Sequence, residues 1–183
     1  MYLSRILTIV PAVVAACLSA AVVLAQQPAP PRPATQFPPS APEVVSAMLK
    51  LAGVTGSDVV YDLGSGDGRI PIEAARVHGA RAVGVEIDPA LVAQSREGAR
   101  QAGVAARVRF VQQDLFAADI SEATVVTLYL LPALNAKLLP KLNRELRPGT
   151  RVVSQSFDFG GPKPKATIDV SGRPVFLWVV PIR

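Results

Sequence analysis

The run VVYDL, residues 59–63, passes without a break into GSGDGR, residues 64–69. A short β-branched run of this kind reads as a buried strand. Gly64, Gly66 and Gly68 then alternate with other residues. Glycine adopts left-handed backbone at no steric cost and lets a ligand approach the main chain closely. The following RIPIEAARVHG carries helical periodicity and stops at Gly79. A strand, a glycine loop and a helix in that order place the chain in the α/β class, because the next strand is reached by a crossover and pairs in parallel.

The rest of the sequence repeats the unit. APEVVSAMLKLAG predicts a helix ending at Gly53, and PALVAQSREGARQAG one that opens on Pro89 and closes at Gly103. PALNAKLLPKLNRELRPG predicts a helix kinked near Pro140. Strands are expected at 58–63, 81–88, 106–114, 123–131 and 150–157, with ATIDVS and RPVFLWVVP closing as an antiparallel pair about Gly172. The expected fold is therefore α/β: a Rossmann-like, doubly wound, mostly parallel sheet of about seven strands with an antiparallel C-terminal pair. Ligands of such sheets bind at the carboxyl ends of the strands.

Ahead of this domain, residues 6–25 carry no charge, and Arg5 precedes them. A positive start, an apolar stretch and an A-x-A-like site at Ala25 have the form of a secretory signal peptide. The stretch also has about the length that spans a bilayer uncut. Either reading makes the domain exported or membrane-associated, periplasmic or extracellular if the segment is cleaved. The domain is cytoplasmic only if the segment is not used. Cys17 is the only cysteine, so no disulfide framework exists. Residues 26–40, QQPAPPRPATQFPPS, form a proline-rich linker, which leaves 41–183 as the domain. The net charge of +5 permits an acidic partner, anionic lipid or nucleic acid, though the arginines fall at spacings expected of a solvated helix face.

The spacing G-x-G-x-G is not the dinucleotide fingerprint G-x-G-x-x-G. Asp62 before the glycines and Asp67 among them oppose a pyrophosphate, at about 1–4 kcal/mol for each pair of like charges ~4 Å apart. They favour a cationic ligand. S-adenosylmethionine carries an ammonium and a sulfonium and no phosphate. Glu86, at the end of the second strand, is placed to accept from both ribose hydroxyls. Asp114, after the third, can accept from the adenine amino group, with Leu115 and Phe116 as apolar neighbours. Three successive strand ends thus carry a carboxylate.

VVYDLGSGDGRIPIEAA, AVGVEID, RVRFVQQDLF and VVTLYLLP, in this order, resemble the class I S-adenosylmethionine-dependent methyltransferases. With FPPSAPEVVSAML and LNRELRPGTRVVS they look like the group containing the ATP synthase c-subunit lysine methyltransferase and its bacterial relatives. The resemblance implies that Asp62, Gly64, Ser65, Gly66 and Gly68 cradle the methionine end of the cofactor. It implies that Glu86 and Ile87 hold the ribose side, and that Asp114 and Leu115 bracket the adenine. Phe37, Pro39 and Ser40 would shape the acceptor entrance. Tyr129 and Pro132, in YLLP, would stand beside the transferred methyl as the catalytic candidates. Two departures stand out. FDFGGPKP lacks the tryptophan usual in that segment, and Ser156 to Ala166 is too short for the usual helix between the fifth and sixth strands.

The activity implied is methyl transfer to a protein lysine, with a protein or peptide as partner. The alternatives are a non-catalytic exported binding module, which the N-terminal segment favours, and an RNA or small-molecule methyltransferase. The last lacks an N/D-P-P-Y type loop and aromatics interleaved with basic residues for stacking bases. No general base announces itself: the only histidine, His78, closes a predicted helix. One cysteine and one histidine build no metal site of the usual ligand types.

Overall fold

A computed structural model describes residues 38–183. The signal-like run, most of the proline-rich linker and Phe37 lie outside the described residues. The strands are β1 (Val59–Leu63), β2 (Arg81–Glu86), β3 (Val108–Gln112), β4 (Val125–Leu128), β5 (Arg151–Gln155), β6 (Ala166–Val170) and β7 (Arg173–Val179). The helices are α1 (Pro42–Leu51), α2 (Arg69–His78), α3 (Pro89–Gln101) and α4 (Pro132–Glu145). One seven-stranded sheet has the order β3-β2-β1-β4-β5-β7-β6. The first five strands run parallel, while β7 is antiparallel to both β5 and β6. The expected architecture is present, including the hairpin about Gly172.

Strand residues alternate between two cores, as the pleat requires. Val60, Val125, Val153 and Leu177 face one side, where they meet Val44, Met48 and Leu49 of α1 and Ile70 and Ala74 of α2. Val59, Tyr61, Val126, Val152 and Trp178 face the other, against Leu138 and Leu142 of α4. All five residues of β1 are buried. Its side chains enter a packed core on each face of the sheet, which is why its sequence is almost continuously apolar.

Helical cover is uneven. α1, α2 and α3 lie on one side, and α4 supplies the cover on the other together with Ala118 and Ile120 from the segment after β3. The segment between β5 and β6 contains no helix, in keeping with its length. Instead Phe159 packs edge-to-face on Trp178 at 4.6 Å, and the indole Nε1 donates to the Pro162 carbonyl at 3.0 Å. The helix α4 runs through Pro140, which lies inside it. Observed strands are shorter than the apolar runs, since β4 ends at Leu128 although YLL continues the pattern. Asp88 caps α3 by accepting from the Ala90 amide at 2.8 Å. Among the described residues, no helix is long and apolar enough to cross a membrane.

Candidate active site

The parallel register brings the ends of β1, β2 and β3 to one edge of the sheet. The Gly64 and Ser65 amides donate to the Val85 carbonyl at 2.8 and 3.0 Å, and the Gln113 amide to that of Glu86 at 2.9 Å. The loops after β1, β2 and β3 are thereby stitched side by side. Glu86 is buried, and its carboxylate accepts three backbone amides: Gly66 at 2.9 Å, Ile87 at 2.8 Å and Asp88 at 3.0 Å. It therefore ties the glycine loop to β2. Ile87 is 42 % exposed, one of few large apolar side chains left to solvent among the described residues, and it stands beside this carboxylate.

The three glycines do different work. Gly66 has φ +54°, and a β-carbon there would meet no protein atom within 4 Å. It faces open space, as a ligand cradle must. Gly68, at φ +80°, is hemmed in: a β-carbon would fall 2.6 Å from Phe110 and 2.8 Å from Ser95. Its smallness, like that of Gly84, makes room for the Phe110 ring beneath the loop. Gly64, at φ +83°, has Leu130 as its close neighbour. Ser65 is buried, and its Oγ finds no partner among the described protein atoms.

Asp62 is buried at the end of β1, and the Thr127 hydroxyl of β4 donates to it at 2.7 Å. Burial pushes its carboxyl up to about 7; the Thr127 hydrogen bond opposes this, and the nearby carboxylates of Glu86 and Asp67 add to it. Asp67, the second carboxylate of the glycine loop, is paired with Arg69. The Arg69 Nε donates to it at 2.9 Å and holds its carboxyl below the usual range. The negative potential of the loop thus comes from Asp62 and Glu86. Asp114 is exposed and accepts from the Phe116 amide at 2.9 Å, closing a turn that leaves Leu115 half-buried on the core.

On the neighbouring strand ends, Tyr129 is half-buried and stacks on Phe157 at 6.5 Å between ring centroids. Pro132 is the exposed first residue of α4. Asn135 of α4 is fully buried and donates to the Phe157 carbonyl at 3.1 Å, and the Ser154 hydroxyl donates to that carbonyl at 2.6 Å. His78 ends α2, which runs back from the loop, so it lies at the far edge of the sheet.

The sequence matches the ANTKMT methyltransferase domain over residues 62–166, more than half of the chain. This chain belongs to that methyltransferase family. A protein-lysine N-methyltransferase of Saccharolobus islandicus is 44% identical over 81% of this chain and 95% of its own length. The ATP synthase c-subunit lysine N-methyltransferase of Xenopus laevis is 38% identical over 67% of this chain, which spans about half (53%) of that relative. A crystal structure of an RNA methyltransferase from Salinibacter ruber with S-adenosyl-L-homocysteine is 59% identical, with a TM-score of 0.77, covering 78% of this chain and 94% of the other.

The methyltransferase uses S-adenosylmethionine, and its residues fit that cofactor. The open space at Gly66, the buried acidic Asp62 and the exposed Ile87 beside Glu86 are what a cationic, apolar-ended nucleoside requires. A cavity of about 660 Å³ between α1, α2 and α3 is lined by Ile72, Glu73, Arg76 and Glu97 and reaches the loop only through Ser40, Asp67 and Arg69. Asp62, Glu86 and Asp114 do not line it. Glu86→Ala is expected to weaken S-adenosylmethionine binding by about 1–3 kcal/mol, the scale of lost charged hydrogen bonds. Calorimetric titration reads this directly, and an unchanged isotherm would remove Glu86 from the site. Sequence reading missed Thr127, Arg69, Gln155 and Phe157, whose roles arise from contacts with distant parts of the chain.

Proposed function

We propose that the protein methylates the side-chain amine of a lysine in a protein or peptide. The observation that carries this reading is the similarity to the archaeal protein-lysine N-methyltransferase over nearly the whole of that relative. The site supports it. When bound, S-adenosylmethionine supplies a methyl group already activated on a sulfonium, so the protein's task is positioning rather than activation. A lysine amine must be neutral to attack. The Tyr129 and Phe157 rings give a partly dehydrated wall at the strand ends, which disfavours the charged ammonium. Tyr129 has a hydroxyl that can orient the acceptor nitrogen, while Asn135 and Ser154 fix the Phe157 backbone from behind.

RNA is the alternative acceptor, because the Salinibacter structure is described as an RNA methyltransferase. Residues 38–183 with radiolabelled cofactor, offered a lysine-rich protein and total RNA in parallel, separate the two. Label on lysine, located by peptide mass spectrometry, is the expected result. Label on RNA alone would overturn it. For residues 6–25 we propose an export or anchoring segment. Fractionation of cells making the full chain tests it, with recovery wholly in the soluble cytoplasm as the contrary result.

A further inference from the structure

We infer that Arg69 is a positioning residue that links the glycine loop to the segment Pro38–Ser40, so that filling the cofactor site orders the acceptor side. The inference rests on the methyltransferase reading and concerns residues that touch neither reacting atom.

Arg69 is the first residue of α2, directly after the glycine loop. Its Nε reaches the Asp67 carboxylate at 2.9 and 3.1 Å, and its Nη2 reaches it at 2.5 Å. The remaining nitrogen, Nη1, donates to the Ser40 carbonyl at 2.6 Å. A planar guanidinium can hold a carboxylate with one edge and a carbonyl with another, which an ammonium on a flexible stem cannot do in one geometry. Asp67 stands between Gly66 and Gly68, both in left-handed backbone, and Gly66 lines the open cradle. Any ligand that sets the loop therefore sets Asp67, then Arg69, then Ser40.

Ser40 is held at a second point. Its hydroxyl donates to Gln155 Oε1 at 2.6 Å, and both residues are buried, at 6 % and 1 % exposure. Gln155 ends β5, two residues before Phe157 of the aromatic wall. The backbone at Ser40 is thus pinned between the cofactor loop on one side and the strand that leads to the acceptor wall on the other. Ala41, the next residue, starts α1 without any side-chain cap, so these two bonds fix where the segment turns. Cofactor bound first would then complete the surface an acceptor meets.

Amide hydrogen exchange of the full chain, with and without S-adenosylhomocysteine, tests this without any turnover. In the wild type the compound should slow exchange in peptides covering residues 38–46 by at least about fivefold, the usual lower scale of site coupling. Arg69→Gln should still bind it but lose this protection, and the KM for the acceptor should rise while kcat holds. Arg69→Lys, which keeps the charge, should lose the protection too. Ser40→Ala should retain it, because the carbonyl that Arg69 holds remains. Protection equal to wild type in both Arg69 variants would overturn the inference, and so would wild-type binding with no protection. Failure of the wild type to bind the compound at all would instead overturn the cofactor reading and the inference together.

Discussion

Gly66→Val is expected to abolish measurable S-adenosylmethionine binding in a protein that still folds. The residue stands at φ +54°, where a β-branched side chain is strained by about 1–2 kcal/mol. Protein contacts add nothing to that cost, because its β-carbon would meet no atom within 4 Å. The valine methyls therefore project into the cradle and exclude the ligand that the main chain is shaped to receive. Gly68→Ala makes the opposite prediction. Its β-carbon would collide with Phe110 at 2.6 Å, so its damage is to stability before binding. Calorimetric titration and thermal melting of the two variants side by side separate the roles. Gly66→Val should melt within several degrees of wild type, at roughly 2–4 °C per kcal/mol for a chain of this size. Wild-type affinity in Gly66→Val would sink the cradle assignment.

The second large effect is on pH dependence. With its carboxyl pushed up to about 7, Asp62 is mostly neutral at pH 5.5 in the free protein. A cationic ligand favours the ionised form, so binding expels a proton below pH 7. Apparent affinity should fall by as much as about tenfold per pH unit from 7 towards 5.5. Above pH ~7.7 the ligand's own α-amino group begins to lose its proton, which gives the profile an alkaline limb. Asp62→Asn should flatten the acid limb and bind weakly throughout. Folding stability moves the other way. The unfolded chain ionises this carboxyl near pH 3.9, whereas the folded chain resists until about 7. Between those values the unfolded state holds fewer protons, so stability falls as pH rises through the window. Bound cation offsets that loss, and the cofactor's thermal shift should grow from pH 5.5 to 7. An acid limb of equal slope in wild type and Asp62→Asn would exclude Asp62 as its source.

The strand ends were legible in the sequence because their chemistry interrupts a pattern. Asp62 and Glu86 each end a run of small and branched apolar residues, and a charge in such a place needs a reason. The parallel sheet and its closing hairpin followed from the same alternation. Partnerships across the sequence were not legible. Asp67 has the same residue type and neighbourhood as a ligand carboxylate, yet Arg69, two positions on, takes it up. Ser40 and Gln155 are 115 residues apart and meet only because β5 lies beside α1. Thr127 reads as one more β-former until β4 is paired with β1 and its hydroxyl meets Asp62. Gly68 looks like its companions in the sequence, and only the position of Phe110 shows that it serves packing. Strand ends were overestimated where apolar residues continue into site loops. Tyr129 and Leu130 lie past the last residue of β4, and Leu130 still packs in the core although it is outside the ladder.

Trp178 is the only tryptophan in the chain. It is almost wholly enclosed, and both its edge-to-face partner Phe159 and its hydrogen-bond acceptor Pro162 belong to the segment that replaces a helix after β5. That segment begins beside Phe157 of the aromatic wall. The protein therefore carries a built-in optical reporter close to the Tyr129–Phe157 pair: emission on excitation at the red edge of the indole band arises from one residue, and it registers rearrangement of residues 156–165 without a label.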